Sequence, residues 1–282
     1  MLLKRSLFLL LSICVGSAFF CFQCTEREPD QVTITVKGST TIAPLIRRAA
    51  KIYKPHVKID ISNTGSTDGI DALINGQCDI AASSREISPG EATEIEKRGI
   101  KLKQFLIAFD IIVSIVNPGN PIDNLDLDQL RGVFTGAISK WSEVGGNDNP
   151  IKVAVREAHS GTFGVWNRIV SAPPENNSAF VAQPSNSSVL AYVAEHPNAV
   201  GYVSYAFLNS DVKALKINGI DVTEKKSVLG RYPLKRSLYL YVNAEIFYSS
   251  QKIKSFVIFL IMTPGGESSI RDSGFYPVSL VR

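Results

Sequence analysis

Four cysteines and three histidines are all that 282 residues offer for thiol or metal chemistry, and their placement excludes most of it. Cys14, Cys21 and Cys24 fall within the first 24 residues, so Cys78 stands alone in the rest and no disulfide can form there. His56, His159 and His196 share no ligand-like spacing with one another or with cysteine. Cys78 directly precedes Asp79-Ile80-Ala81-Ala82, a short apolar strand, and reads as a structural thiol. Charge of one sign is also scarce. The net charge is +4, and from residue 25 onward 28 basic residues face 26 acidic ones, a surplus of +2. Arg47-Arg48 and Lys225-Lys226 are isolated pairs, which excludes the basic stripe of a nucleic-acid reader. Repeats and low-complexity tracts are absent. A hydrophobic fraction of 45% supports one large or two medium domains and rules out disorder for the bulk of the chain.

The N-terminus is basic at Lys4 and Arg5 and then nearly all apolar from Leu7 to Phe22, the shape of an export signal. A retained anchor is the competing reading, although the run is short for a span of about 30 Å of hydrocarbon. Gly16 and Ala18 satisfy the small-x-small rule for cleavage after Ala18. Cys21 and Cys24 leave lipidation open, but the residues preceding Cys14, Cys21 and Cys24 are Ile13, Phe20 and Gln23, where a small one is expected. Residues 1–24 are thus a signal or lipoprotein leader and 25–31 a polar tether. The expected location is outside the cytoplasm, in a periplasm or at the cell surface, with membrane contact through the leader or a lipid.

Beyond the tether, strand and helix patterns alternate. Val32–Val36 and Val57–Ile61 alternate like strands; Leu45, Ile46, Ala49, Ile52 and Tyr53 recur at helical spacing behind Pro44, and Ile70, Leu73 and Ile74 mark a second helix ended by Gly76. This order predicts an α/β fold with a mostly parallel sheet and helices on both faces. Ile107–Val116, apolar except for Asp110 and Ser114, reads as a buried strand crossing between two lobes. Leu238–Val242 reads as the return crossing, ahead of a helix over residues 253–262. The expected lobes are 32–113 with 238–282, and 114–237. Pro173–Asn177 and Pro184–Ser188 read as loops.

Three segments share one grammar of strand, then Gly with Ser or Thr, then helix. They are Gly38-Ser39-Thr40-Thr41, Gly65-Ser66-Thr67-Asp68-Gly69 and Ser160-Gly161-Thr162. A helix start offers unpaired N–H groups and the positive end of the helix dipole, hydroxyls add donors, and glycine lets the backbone approach closely, so such a place suits an oxyanion. Each alone is as well explained by an N-cap, and the argument rests on there being three. Arg156 follows the apolar strand Ile151–Val155 and can fork onto two oxygens of a phosphate. A surface pair with Glu157 is the bland alternative.

Residues 32 to 282 resemble the phosphate-binding proteins of bacterial phosphate ABC transporters. The resemblance is carried by Gly38–Leu45, Asp79–Arg85, Phe134-Thr135-Gly136 with Trp141, Arg156-Glu157 with Ser160-Gly161-Thr162, and Ala199-Val200-Gly201-Tyr202. It implies a two-lobed periplasmic-binding-protein fold, class II in type, with sheets joined by two hinge strands. It further implies a monomer that binds inorganic phosphate without transforming it and hands it to a transmembrane permease. Carried over residue by residue, the phosphate contacts are Thr40, Thr41, Ser66, Ser84, Arg156, Ser160, Gly161 and Thr162. No cofactor or metal is implied.

Ser84 is a departure, since well-known members place an aspartate there. A carboxylate accepts the proton that phosphate keeps and repels sulfate, whereas a serine can accept or donate. Asp68 is the alternative proton acceptor, against its reading as a first-turn acid complementing the helix dipole. His159, where the family usually has glycine, raises a Ser160-dependent phosphatase as a rival, which lacks an orienting acid. A binding protein for sulfate or molybdate, or a phosphate sensor, also remains open.

Overall fold

The structure is a computed structural model described for residues 32–53, 57–170, 177–223 and 230–280. The expected leader and tether, His56, Pro173–Asn176 and Lys225-Lys226 lie outside those residues. β1 (Val32–Gly38) buries Ile34 and Val36 and turns Thr33 to solvent, the period-two pattern of a half-covered strand. α1 (Ala43–Ile52) starts with Pro44 in its first turn and packs Leu45, Ile46 and Ala49 inward. β2 (Val57–Ser62), α2 (Ser66–Ile74), β3 (Ile80–Ser83) and α3 (Pro89–Lys97) follow. β1 pairs in parallel with both β2 and β3, as the β-α-β-α order requires.

β4 (Leu102–Val116) is the long strand expected from the apolar run, extended at its N-terminal end. Then come β5 (Asn124–Leu125), α4 (Leu127–Thr135), β6 (Lys152–Arg156) and α5 (Gly161–Ile169). β7 (Phe180–Gln183), α6 (Asn186–Glu195), β8 (Ala199–Ser204), β9 (Lys213–Ala214) and β10 (Lys216–Ile217) complete the middle of the chain. β11 (Lys235–Asn243) leads into α7 (Ala244–Ser249), α8 (Gln251–Met262), α9 (Pro264–Asp272) and β12 (Tyr276–Pro277). Among the described residues the main sheet runs β2-β1-β3-β11-β4-β8-β6-β7. It is parallel toward both ends and antiparallel where β11 and β4 meet their neighbours.

The apolar groups sort into cores on either side of a seam. On one side Ile34, Leu45, Ile80, Leu240 and Phe256 fill one face of the sheet, and Ile70, Leu73, Ala81 and Tyr241 the other. On the other side Phe134, Trp141, Trp166 and Tyr202 cluster, with the rings of Trp166 and Tyr202 stacked at 4.0 Å. β4 joins the two, pairing with β11 through Ile111 and with β8 from Ile112.

The return passage differs from the sequence expectation. Leu238–Val242 lies wholly beside β3 and the first part of β4, while the chain passes the seam at residues 234–236, where Ile112 N donates to Leu234 O at 2.9 Å. The run is apolar because β11 is covered on both faces, with Leu238, Leu240 and Val242 in one core and Tyr239 and Tyr241 in the other. An apolar run reports burial and not the hinge. Pro184–Ser188 also departs from the loop reading, since Ser185 caps α6.

The helix start at Ser66 is held close to β1. A Cβ on Gly69 would lie 2.5 Å from the Cα of Gly38 and 2.7 Å from the carbonyl oxygen of Lys37. Gly69→Ala is therefore expected to destabilise the fold by about 1–3 kcal/mol in urea unfolding. Gly90→Ala, where an added methyl meets nothing within 4 Å, is expected to stay within about 0.5 kcal/mol of the parent or to be slightly stabilising.

Candidate functional site

Four helix starts and one strand end meet at the seam. Ahead of α1, the Ser39 hydroxyl accepts from Thr41 N at 3.2 Å, which shapes the turn carrying Thr40 and Thr41. At α5 the Ser160 hydroxyl is the N-cap, accepting from Thr162 N at 3.2 Å and Phe163 N at 3.5 Å. The start of α2 meets the start of α5 directly, with Thr67 N donating to His159 O at 3.2 Å. The fourth start, Ser185-Asn186 at α6, carried no weight in the sequence because its serines and asparagine looked like an ordinary polar loop.

Arg156 closes β6 as expected, with its residue 1% exposed. Its Nε donates to Gln183 O at 3.1 Å, and its Nη2 to Pro184 O at 2.8 Å and to Thr40 Oγ1 at 3.1 Å. Its Nη1 is buried with no partner among the described residues. Burial pushes this guanidinium down to about 10, with the like charge of Arg236 adding in the same direction, so it remains charged at neutral pH. Leaving a charged donor dry and unpaired costs free energy that an anionic acceptor would recover. The surface pair with Glu157 does not form, because Glu157 instead sits 3.1 Å from His159 Nε2.

The other expected contacts converge in two pairs, one joining opposite sides of the seam and one lying on a single side and meeting Gly161 from the other. Thr41 Oγ1 and Thr162 Oγ1 lie 3.3 Å apart, although 121 residues separate them. Ser66 Oγ and Ser84 Oγ lie 3.3 Å apart, and Ser66 Oγ also accepts from Ser84 N at 3.1 Å. Gly161 fits against this serine pair only because it has no side chain. A Cβ there would stand 2.3 Å from Ser66 Oγ and 2.6 Å from Ser84 Oγ. Asp68 sits half-buried in the first turn of α2 and makes no hydrogen bond or ion pair with these groups.

Sequence reasoning passed over a second guanidinium. Arg236 Nε and Nη2 donate to Asp110 Oδ2 at 2.8 and 2.6 Å, with both side chains 1% exposed. The remaining donors reach Thr162 Oγ1 at 2.7 Å and Thr41 Oγ1 at 3.4 Å. Asp110 Oδ1 accepts from the Ser204 hydroxyl at 2.7 Å, and Asn186 bridges Ser204 N and Thr41 Oγ1 at 3.0 and 3.1 Å. The available signal was Asp110 itself, since an acid inside a buried strand needs a partner.

No group of acidic, histidine or cysteine side chains able to hold a metal occurs among the described residues. Cys78 is free and buried, and burial pushes its thiol up to about 11, which keeps it an inert packing group. No described helix is long and apolar enough to cross a membrane.

A family model described as a PBP superfamily domain matches residues 25–263. The chain belongs to the PBP superfamily. Among superfamily relatives, it is 27% identical over 260 residues to the phosphate-binding protein PstS of Bacillus subtilis, spanning 90% of this chain and 83% of that protein. A Clostridium perfringens protein, solved with bound phosphate and assigned to phosphate ABC transporters as a substrate-binding protein, is 29% identical with a TM-score of 0.80. An ABC-type phosphate transport receptor from Vibrio cholerae is 30% identical with a TM-score of 0.70. Both comparisons cover 87% of this chain and 99% of the other. The two-lobed α/β fold read from the sequence is therefore the fold of this chain.

Breaking the Arg236–Asp110 pair from one side leaves a buried charge uncompensated. Asp110→Ala or Arg236→Met is expected to lower unfolding free energy by about 3–5 kcal/mol in denaturant titration. A loss below about 1 kcal/mol would show that the remaining charge is solvated after all.

Proposed function

We propose that this chain is an extracytoplasmic receptor that binds inorganic phosphate between its two lobes and delivers it to the permease of an ABC transporter. The observation that carries the reading is the buried, unpartnered Arg156 Nη1 beside Thr40, where Thr41 and Thr162 bring hydroxyls from opposite sides of the seam. The named phosphate-binding relatives support the ligand and the transporter partner. The lobes are 32–113 with 238–282, and 114–237, and they move about residues 111–113 and 234–236. The anion enters an open cleft, and lobe closure then excludes water and strengthens each charge-assisted bond. The protein acts as a monomer, is exported through its leader, and is held at the membrane by that leader or by a lipid on Cys21 or Cys24.

The contact set is Thr40, Thr41, Ser66, Ser84, Arg156, Ser160, Gly161 and Thr162. Ser160 binds with its hydroxyl proton, because its oxygen already accepts from two helix N–H groups. That same capping geometry opposes a phosphatase: His159 is engaged with Glu157, and Ser160 makes no bond to it. Sulfate is a second ligand for this site. Ser84 stands where a carboxylate would repel it, and Asp110, the buried acid among the described residues, is already committed to Arg236 and Ser204.

Calorimetric titration with phosphate tests the reading, and a protein that takes up none ends it. Lysine keeps the charge at position 156 but not the fork, so Arg156→Lys is expected to weaken binding at least about tenfold. Gly161→Ala is expected to weaken it comparably, because its methyl would hold the lobes apart at Ser66 and Ser84.

A further inference from the structure

The hydroxyls of Thr41 and Thr162 are not free to choose between donating and accepting. Arg236 is a pure donor, and its guanidinium is locked in place by two bonds to Asp110 Oδ2. Asn186 is oriented as well. Its Oδ1 accepts from the backbone N–H of Ser204, so the group facing Thr41 is its NH2. Thr41 Oγ1 therefore receives one N–H from Asn186 and one from Arg236, which fills both lone pairs and leaves its proton as the only function it can present. Thr162 Oγ1 receives Arg236 Nη1 at 2.7 Å, and since Thr41 Oγ1, 3.3 Å away, has no lone pair left to receive it, the Thr162 proton also points away from that neighbour.

Resting on the phosphate reading above, we propose that Arg236, with Asp110 and Asn186, is a positioning group that makes Thr41 and Thr162 obligate donors and so selects the dianion of phosphate over its monoanion. Each proton added to the ligand turns an acceptor oxygen into a donor, and a donor facing a donor is a repulsive contact. Acceptor capacity is left to the Ser66–Ser84 pair, which suits a ligand carrying a single proton. Asp110 also neutralises Arg236, so selectivity comes from the direction of the hydroxyl protons and not from a second uncompensated cation.

The charged groups around Arg236 are Asp110, whose contact is direct, Arg156, whose like charge it feels, and Arg85, Glu86, Arg168 and Lys235, which share a shallow hollow with it. His159, across the start of α2, is present in every protein compared and cancels.

The test is phosphate affinity below and above the second ionisation of phosphate, measured on the full chain by calorimetry. The parent is expected to bind the dianion at least about tenfold more tightly than the monoanion, as one repulsive contact removed would give. The double variant Asp110→Asn/Arg236→Gln removes both charges of the pair together, so neither is left alone, and frees the threonine oxygens to accept. It is expected to lose dianion affinity by about tenfold or more while that preference shrinks toward unity. Asn186→Ser releases Thr41 without touching the ion pair and is expected to flatten the preference in part, so the test stands even if the double variant does not fold. Equal loss at both pH values in a folded variant would make Arg236 a mere clamp, and unchanged binding would remove it from the site; either overturns the proposal. A parent that binds no phosphate at either pH instead defeats the reading on which it rests.

Discussion

A buried guanidinium nitrogen with no acceptor among the described residues is the constraint around which the seam is organised. Arg156 is anchored by two backbone carbonyls and a threonine from the opposite side, so its Nη1 cannot turn away to find water or another acceptor. The protein thus keeps a strong donor dry and immobile. That arrangement is unfavourable alone and favourable around an anion. The contacts across the seam follow the same logic. Gly161 against the serine pair and Thr67 N on His159 O need both lobes in place.

Micromolar affinity corresponds to about 8 kcal/mol, and one charge-assisted bond supplies about 1.5–3 kcal/mol, so several donors must act together against the cost of dehydrating the ligand. The fold supplies them economically because helix starts of one type recur on both sides of the seam. Each projects backbone N–H groups already spaced by the helix, and at α1, α5 and α6 a serine holds the turn. Burial of Asp110 with Arg236 adds a fixed polar floor whose charges cancel, and this floor sits where β4 changes partner from β11 to β8. The element that joins the lobes therefore also orients the hydroxyls.

Much of this was legible in the sequence because it is local. Glycine and hydroxyl residues between a strand and a helix announce a helix start whatever lies around them, and Arg156 directly after an apolar strand could be placed at its end. What escaped depended on pairing across distance. Arg236 meets Asp110 across 126 positions, and nothing near either residue names the other. Asn186 was hidden in a polar stretch that reads equally as a loop or a capped helix. The return passage was misplaced because periodicity reports which faces are covered, and β11 is covered on both. Ser84 was seen to depart from the family pattern, but its partnership with Ser66 needed coordinates.

The most direct measurement is a crystal structure of the phosphate complex. The account predicts one anion receiving Arg156 Nη1 together with the hydroxyls of Thr41 and Thr162, and no carboxylate touching it. Phosphate seated away from Arg156, or contacted from one lobe alone, would contradict it.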